Sequence, residues 1–307
     1  MQGLGLALAA YLIWGCFPLF FSLLSQVNPG EVLAHRAIWA LLATLALTWI
    51  FKRQQVLLNL LRQPKTLAWL SLSALLVSSN WLLFIWAVSA NRVIEASLGY
   101  FLTPLVSLVL ARILLKEKLH FWQAAAGWVA TAAVVWEMIK LGSLPWIPLA
   151  LALTFGFYGL VRKQHPVDAL QGLSIETMWM LGPALIWLGW AGMSEQELYF
   201  GSSWSISWLL IAAGLITATP LLLFAAAAKK LDLSVVGFIM YINPSIQFLS
   251  AVFILREDYP PERLITFALI WAAMLLFMWG LWQSRQALKK LSNSATQQAP
   301  GQAQEEN

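Results

Sequence analysis

Apolar residues run along this chain in blocks of about twenty, separated by short polar stretches. A helix rises about 1.5 Å per residue, so roughly 20 such residues cross the roughly 30 Å of hydrocarbon in a bilayer. The blocks fall at about 4–24, 32–51, 67–88, 93–115, 121–139, 145–161, 172–190, 206–227, 233–255 and 262–282. They predict an all-α polytopic membrane protein of about ten transmembrane helices. The sixth block is short and opens on Pro145 and Pro148, which leaves its start the least defined.

The blocks repeat. Glu95 to Glu117 reads EASLGYFLTPLVSLVLARILLKE, and Val235 to Glu257 reads VVGFIMYINPSIQFLSAVFILRE, 140 residues later. Pro104 falls on Pro244, Lys116 on Arg256 and Glu117 on Glu257, and the register extends to Phe84 on Phe224 and Ala132 on Ala272. Both read as apolar helix bent at a central proline, because proline lacks the N–H that would bond the carbonyl one turn back. The earlier spans align more weakly, with LALAAYLIWG (6–15) on PLALALTFGF (148–157). Pro18, Pro183 and Pro220 predict further bends. The division expected is 1–140, a second repeat over 141–285, and a polar, disordered cytoplasmic tail over 286–307, clearest from about Leu291.

Charge sets the orientation. With both termini in the cytoplasm, the inner loops and tail hold fourteen cations, including Lys52, Arg53, Arg162, Lys163, Lys229 and Lys230. The outer loops hold four: Arg92, Lys140, Arg256 and Arg263. That excess on one side predicts an N-in, C-in chain. Each half then has five spans, an odd number, so the second half enters the membrane inverted. Two inverted halves are an architecture of secondary transporters, because their rocking can expose a midplane site to either side. The composition agrees: 60% hydrophobic, 11% charged and a mean hydropathy of +0.71 do not describe a soluble domain. The net charge of +5 belongs to loops at a membrane face and predicts no nucleic-acid partner. The one cysteine, Cys16, reads as a small buried apolar residue.

Charges inside apolar spans cost several kcal/mol unless they meet a cavity or a partner, so each is a candidate. Glu31, His35 and Arg36 open the second span, with Glu31 and His35 four apart on one face. Arg36 could hold a carboxylate through two parallel N–H bonds, and His35 could exchange a proton near neutral pH. The structural alternative is that these residues pair with one another and fix the helix. Glu176 has no cation at helical spacing on its own span, so its partner is another span, water or a proton. Glu95 is expected to pair with Arg92, and Glu137 with Lys140. Asn80, Asn243 and Gln247 can bond across helices or line a cavity, and Tyr100, Tyr241, Trp81 and Trp86 are candidate walls.

No GxSxG, HExxH, P-loop or GxGxxG occurs, and one of three histidines lies within a span, so no cofactor, metal site or ATP use is expected. GYFLTPLVSLVLARILLKEKL, NWLLFIWAV, LALAAYLIWG, AHRAIWA and FYGLVRK resemble the RarD family of the drug/metabolite transporter superfamily, with two EamA-type halves. The resemblance runs from Gly3 to about Gln283. It implies ten helices in a bacterial inner membrane and an exporter of amino acids, other metabolites or drugs. From the residues, the expected activity is alternating-access movement of a small amphipathic metabolite such as an amino acid. Arg36 would hold its carboxylate, with Glu176 or His35 for its amine or a coupled proton. Two rivals stay open: an intramembrane enzyme using His35 and Glu176, and a non-transporting assembly or sensor component.

Overall fold

A computed structural model describes the chain apart from residues 1, 115, 117–120, 143, 166, 195, 229–238, 259 and 299–307. Glu117, Lys118, Lys229, Lys230, the opening of the second repeated stretch and the last nine residues therefore lie outside the described part. The described residues are helical, without strands. In order they form α1 (Gln2–Gly15), α2 (Phe17–Ser22), α3 (Pro29–Ile50), α4 (Gln54–Leu61), α5 (Pro64–Ser89) and α6 (Val93–Leu114). These are followed by α7 (Phe121–Leu141), α8 (Trp146–Gln164), α9 (Ala169–Met193), α10 (Trp204–Ala228), α11 (Ile242–Leu249) and α12 (Arg263–Gln298). Ser250–Ile254 continues α11 as a wider π turn. Among the described residues, five stretches are long and apolar enough to cross a membrane: Gly3–Ser22, Pro29–Ile50, Pro64–Ser89, Val93–Leu114 and Trp204–Phe224.

Proline explains several boundaries. Pro18 sits in the first turn of α2, where its missing N–H costs nothing, and the first apolar block breaks at Cys16. Cys16 is therefore exposed at the break, which corrects its reading as a buried residue. Asn28 caps α3 by accepting from Gly30 N at 2.8 Å, with Pro29 in the first turn. Pro104, Pro183 and Pro220 lie inside continuous helices. Pro244 does not: it falls in the first turn of α11, behind a turn at Met240–Tyr241, so here the expected central bend is a helix start.

Two further expectations are corrected. α4, in the loop between the second and third blocks, went unread because its eight residues are too few to register as a span. The tail is helical to Gln298 rather than disordered from 286. Its Ala, Leu, Lys and Gln residues favour helix, and no proline interrupts them before Pro300.

The helices pair across the molecule. α3 packs on α9 and α10, α6 on α8 and α11, α7 on α12, α1 on α10 and α11, and α5 on α8 and α9. Close approach requires small residues where the backbone is the contact surface. A Cβ on Gly214 of α10 would land on the Trp39–Ala40 backbone of α3. The main core is aliphatic, with Leu, Ile, Val and Ala side chains packed around aromatic residues that include Phe17, Phe21, Phe84, Phe101, Tyr241 and Phe267. At the end of each repeated stretch the cation takes a left-handed backbone, φ 56° at Lys116 and 53° at Arg256.

Candidate functional site

Arg36 projects from α3 into the bundle and is 3% exposed. Its Nε donates to Thr217 Oγ1 of α10 at 2.8 Å. The guanidinium carbon lies 4.1 Å from the Trp81 ring centre, 5.2 Å from Phe21 and 5.5 Å from Phe17, within cation–π range. Its Nη1 is buried with no hydrogen-bond partner. Tyr100 lies within electrostatic reach. Its hydroxyl donates to Asn80 Oδ1 at 3.1 Å, while Asn80 Nδ2 donates to the Leu151 carbonyl and to Thr154 Oγ1, both at 3.0 Å. Arg36, Trp81, Asn80 and Tyr100 thus form one buried cluster, bridged to α10 through Thr217.

Glu176 sits elsewhere. It is 1% exposed on α9, and its partners are on other spans, one of the alternatives that its isolation on its own helix leaves open. Oε1 accepts from Ser73 Oγ of α5 and lies 3.7 Å from Arg162 Nη1 of α8, with Tyr158 against the same carboxylate. Arg162 also donates to the Val167 carbonyl at 3.1 Å and presses on Gly172, where a side chain would collide with its guanidinium. α5 serves both sites, and Ser73 and Trp81 are eight residues apart, about 12 Å along the helix. Ala37, Ala74, Val77 and Met180 form a buried plug, with Trp81 and Tyr158 packed against it. The two charges are separated by apolar side chains.

The other candidates scatter. His35 stacks on Phe200, ring centres 4.4 Å apart, with its Nδ1 unpartnered. Glu31 does not pair with it. Its carboxylate accepts from the backbone N–H groups of Tyr199 (2.9 Å) and Phe200 (2.8 Å), tying the loop before α10 onto α3. Gln247 donates to Asn243 Oδ1 at 2.8 Å and keeps an unpartnered Oε1. Tyr241 stacks against Phe101 with its hydroxyl unpartnered. Arg92 and Glu95 pair at 2.8 Å as expected. Glu137 instead accepts from Thr266 at 2.5 Å, and Lys140 lies over Trp136. A cavity of about 330 Å³ opens between α3, α5 and α9, lined by Ala34, Ala37, Ser78, Trp179, Met180 and Trp187 among others. Neither Arg36 nor Glu176 lines it.

Sequence reasoning missed Thr217, Ser73 and Arg162. The two hydroxyls look like ordinary residues inside apolar runs. Arg162 counts among the cytoplasmic loop cations, and only the fold, which lays its guanidinium against Gly172 of α9, brings it to Glu176.

An all-helical bundle whose described residues include five apolar stretches long enough to span a bilayer defines a polytopic helical membrane protein. The EamA-like transporter family matches residues 1–138. Protein RarD of Escherichia coli K12 is 44% identical over 90% of this chain and 94% of its own. An uncharacterized transporter of Vibrio cholerae is 39% identical over 90% and 91%, and uncharacterized transporter YojE of Bacillus subtilis is 37% identical over 91% and 94%. A solved crystal structure of a protein 18% identical aligns over 89% of this chain and 95% of that one, with a TM-score of 0.58, a likeness of fold alone. The chain belongs to the RarD family of EamA-like transporters in the drug/metabolite transporter superfamily. It is a bacterial multi-pass membrane transporter.

Proposed function

We propose that this transporter moves a small amphipathic metabolite or drug by alternating access between two inverted five-helix repeats, with both termini on the cytoplasmic side of the inner membrane. The observation that carries the reading is Arg36: a buried guanidinium with an open donor, walled by α2, α3 and α5 and anchored to Thr217 of α10. A buried charge without a counter-charge is costly unless a ligand completes it.

Packing supports the duplication. Exchanging halves turns α1 on α10 into α8 on α5, α3 on α10 into α9 on α5, and α6 on α8 into α11 on α1, and each of these contacts occurs. In this reading Arg36 holds the anionic group of the cargo, and the Glu176–Arg162 pair closes the cytoplasmic half. The enzyme reading is not favoured: it needs His35 and Glu176 at one reacting centre, and their neighbours are Phe200 and Ser73 respectively.

Counterflow in proteoliposomes loaded with mixed metabolites tests the proposal. Saturable exchange of one class, lost in Arg36→Gln, is expected. Exchange unaffected by that substitution removes Arg36 from the site. Absence of exchange by folded protein overturns the carrier mechanism.

A further inference from the structure

Building on the proposed role of Arg36, we infer that the cargo is a monoanionic carboxylate with an apolar body, rather than a zwitterionic amino acid or an amine. Charge balance around the buried Arg36 guanidinium selects the ligand. In a zwitterion the ammonium lies about 3 Å from the carboxylate, so a site for both needs an acid beside the cation, or acceptors free to replace water around the ammonium.

No acid faces Arg36 among the described residues. Glu176 lies beyond the Ala37–Ala74–Val77–Met180 plug and is held by Ser73 and Arg162. Glu31, on the same helix as Arg36, gives both carboxylate oxygens to the Tyr199 and Phe200 amides. Glu95 is paired with Arg92. The neutral groups are engaged as well: Asn80 Oδ1 accepts from Tyr100, and Thr217 Oγ1 takes the Arg36 Nε–H and donates to the Ala213 carbonyl. The Trp81 face, the best surface for an ammonium, already carries the guanidinium at 4.1 Å.

What the cluster offers is one cation with an unpartnered Nη1, packed among Phe17, Phe21 and Trp81. A carboxylate can take two N–H groups of the guanidinium while its apolar remainder replaces ring contacts. A dianion such as a phosphate monoester would need a second cation there. The net charge of cluster plus ligand is zero only for a monoanion.

The test uses the full-length chain in detergent micelles and in proteoliposomes, with two matched triads. They are 3-phenylpropionate, phenylalanine and 3-phenylpropylamine, then 4-methylpentanoate, leucine and isopentylamine. Binding is read by calorimetry and transport by counterflow corrected for leakage into protein-free vesicles. The acid of at least one triad is expected to bind at least about tenfold tighter than its amino acid, the amine not at all, and only the acid to exchange. Arg36→Gln should abolish acid binding and Arg36→Lys should retain a weakened form, both in protein that elutes and melts as folded. Equal or tighter binding of the amino acid or amine overturns this inference, and exchange of either leaves the carrier proposal standing. Failure of all six compounds to bind overturns the inference together with Arg36 as the anion site.

Discussion

Arg36 and Glu176 are both buried charges, 3% and 1% exposed, yet the bundle treats them in opposite ways. Glu176 has a cation, a serine hydroxyl and a tyrosine around it. Arg36 has one hydroxyl, three aromatic faces and a donor with no acceptor. Low dielectric strengthens a satisfied polar network and penalises an unsatisfied one. The first arrangement holds helices together, and the second holds free energy that a ligand can release. A buried charge in a membrane span is thus informative only together with what surrounds it.

The contrast is open to attack, most strongly through stability. Arg162→Met strands the Glu176 carboxylate and should cost about 3 kcal/mol, whereas Arg36→Met, which removes a charge without a counter-charge, should be neutral or stabilising. Unfolding midpoints in detergent read both, and equal losses would dissolve the distinction. Gly214→Ala forces α10 away from the Trp39–Ala40 backbone of α3 and should cost about 1–3 kcal/mol in the same measurement. It should also weaken ligand binding, because Thr217 sits one turn further along α10. Thr217→Val leaves the Arg36 Nε–H without an acceptor and should lower stability by about 1–2 kcal/mol, with Thr217→Ser close to the parent. The smallest effect belongs to Arg92→Ala. Its pair with Glu95 leaves the arginine side chain 38% exposed, so a loss of under about 1 kcal/mol is expected, and less at high salt.

Candidate residues were legible to the extent that their rarity in apolar surroundings is itself the signal. Arg36, Glu176 and Asn80 stand out because a charge or amide in a span needs a reason, and each proves buried. His35 stands out for the same reason, but its ring packs on Phe200, a residue in a loop more than 160 positions away. Gln247 and Asn243 bond each other across one turn of α11, as their spacing of four allows. Cys16 misled because a small apolar side chain carries no information about which face of a helix it occupies. Pro244 misled in part: proline disrupts a helix equally well by bending it or by starting a new one, and the sequence around it is the same for both.

Sequence alone determined that the chain is helical and membrane-embedded, because block length and apolarity follow from the thickness and chemistry of a bilayer. Its repeat also proposed two related halves. Only the tertiary structure decided which charges meet. Arg162 finds Glu176 because its guanidinium lies against Gly172 near the start of α9, and Thr217 finds Arg36 because Gly214 lets α10 lie against α3. Spacing along one helix fixes neighbours three and four residues away, whereas these partners sit on different helices and are set by how the chain packs those helices together.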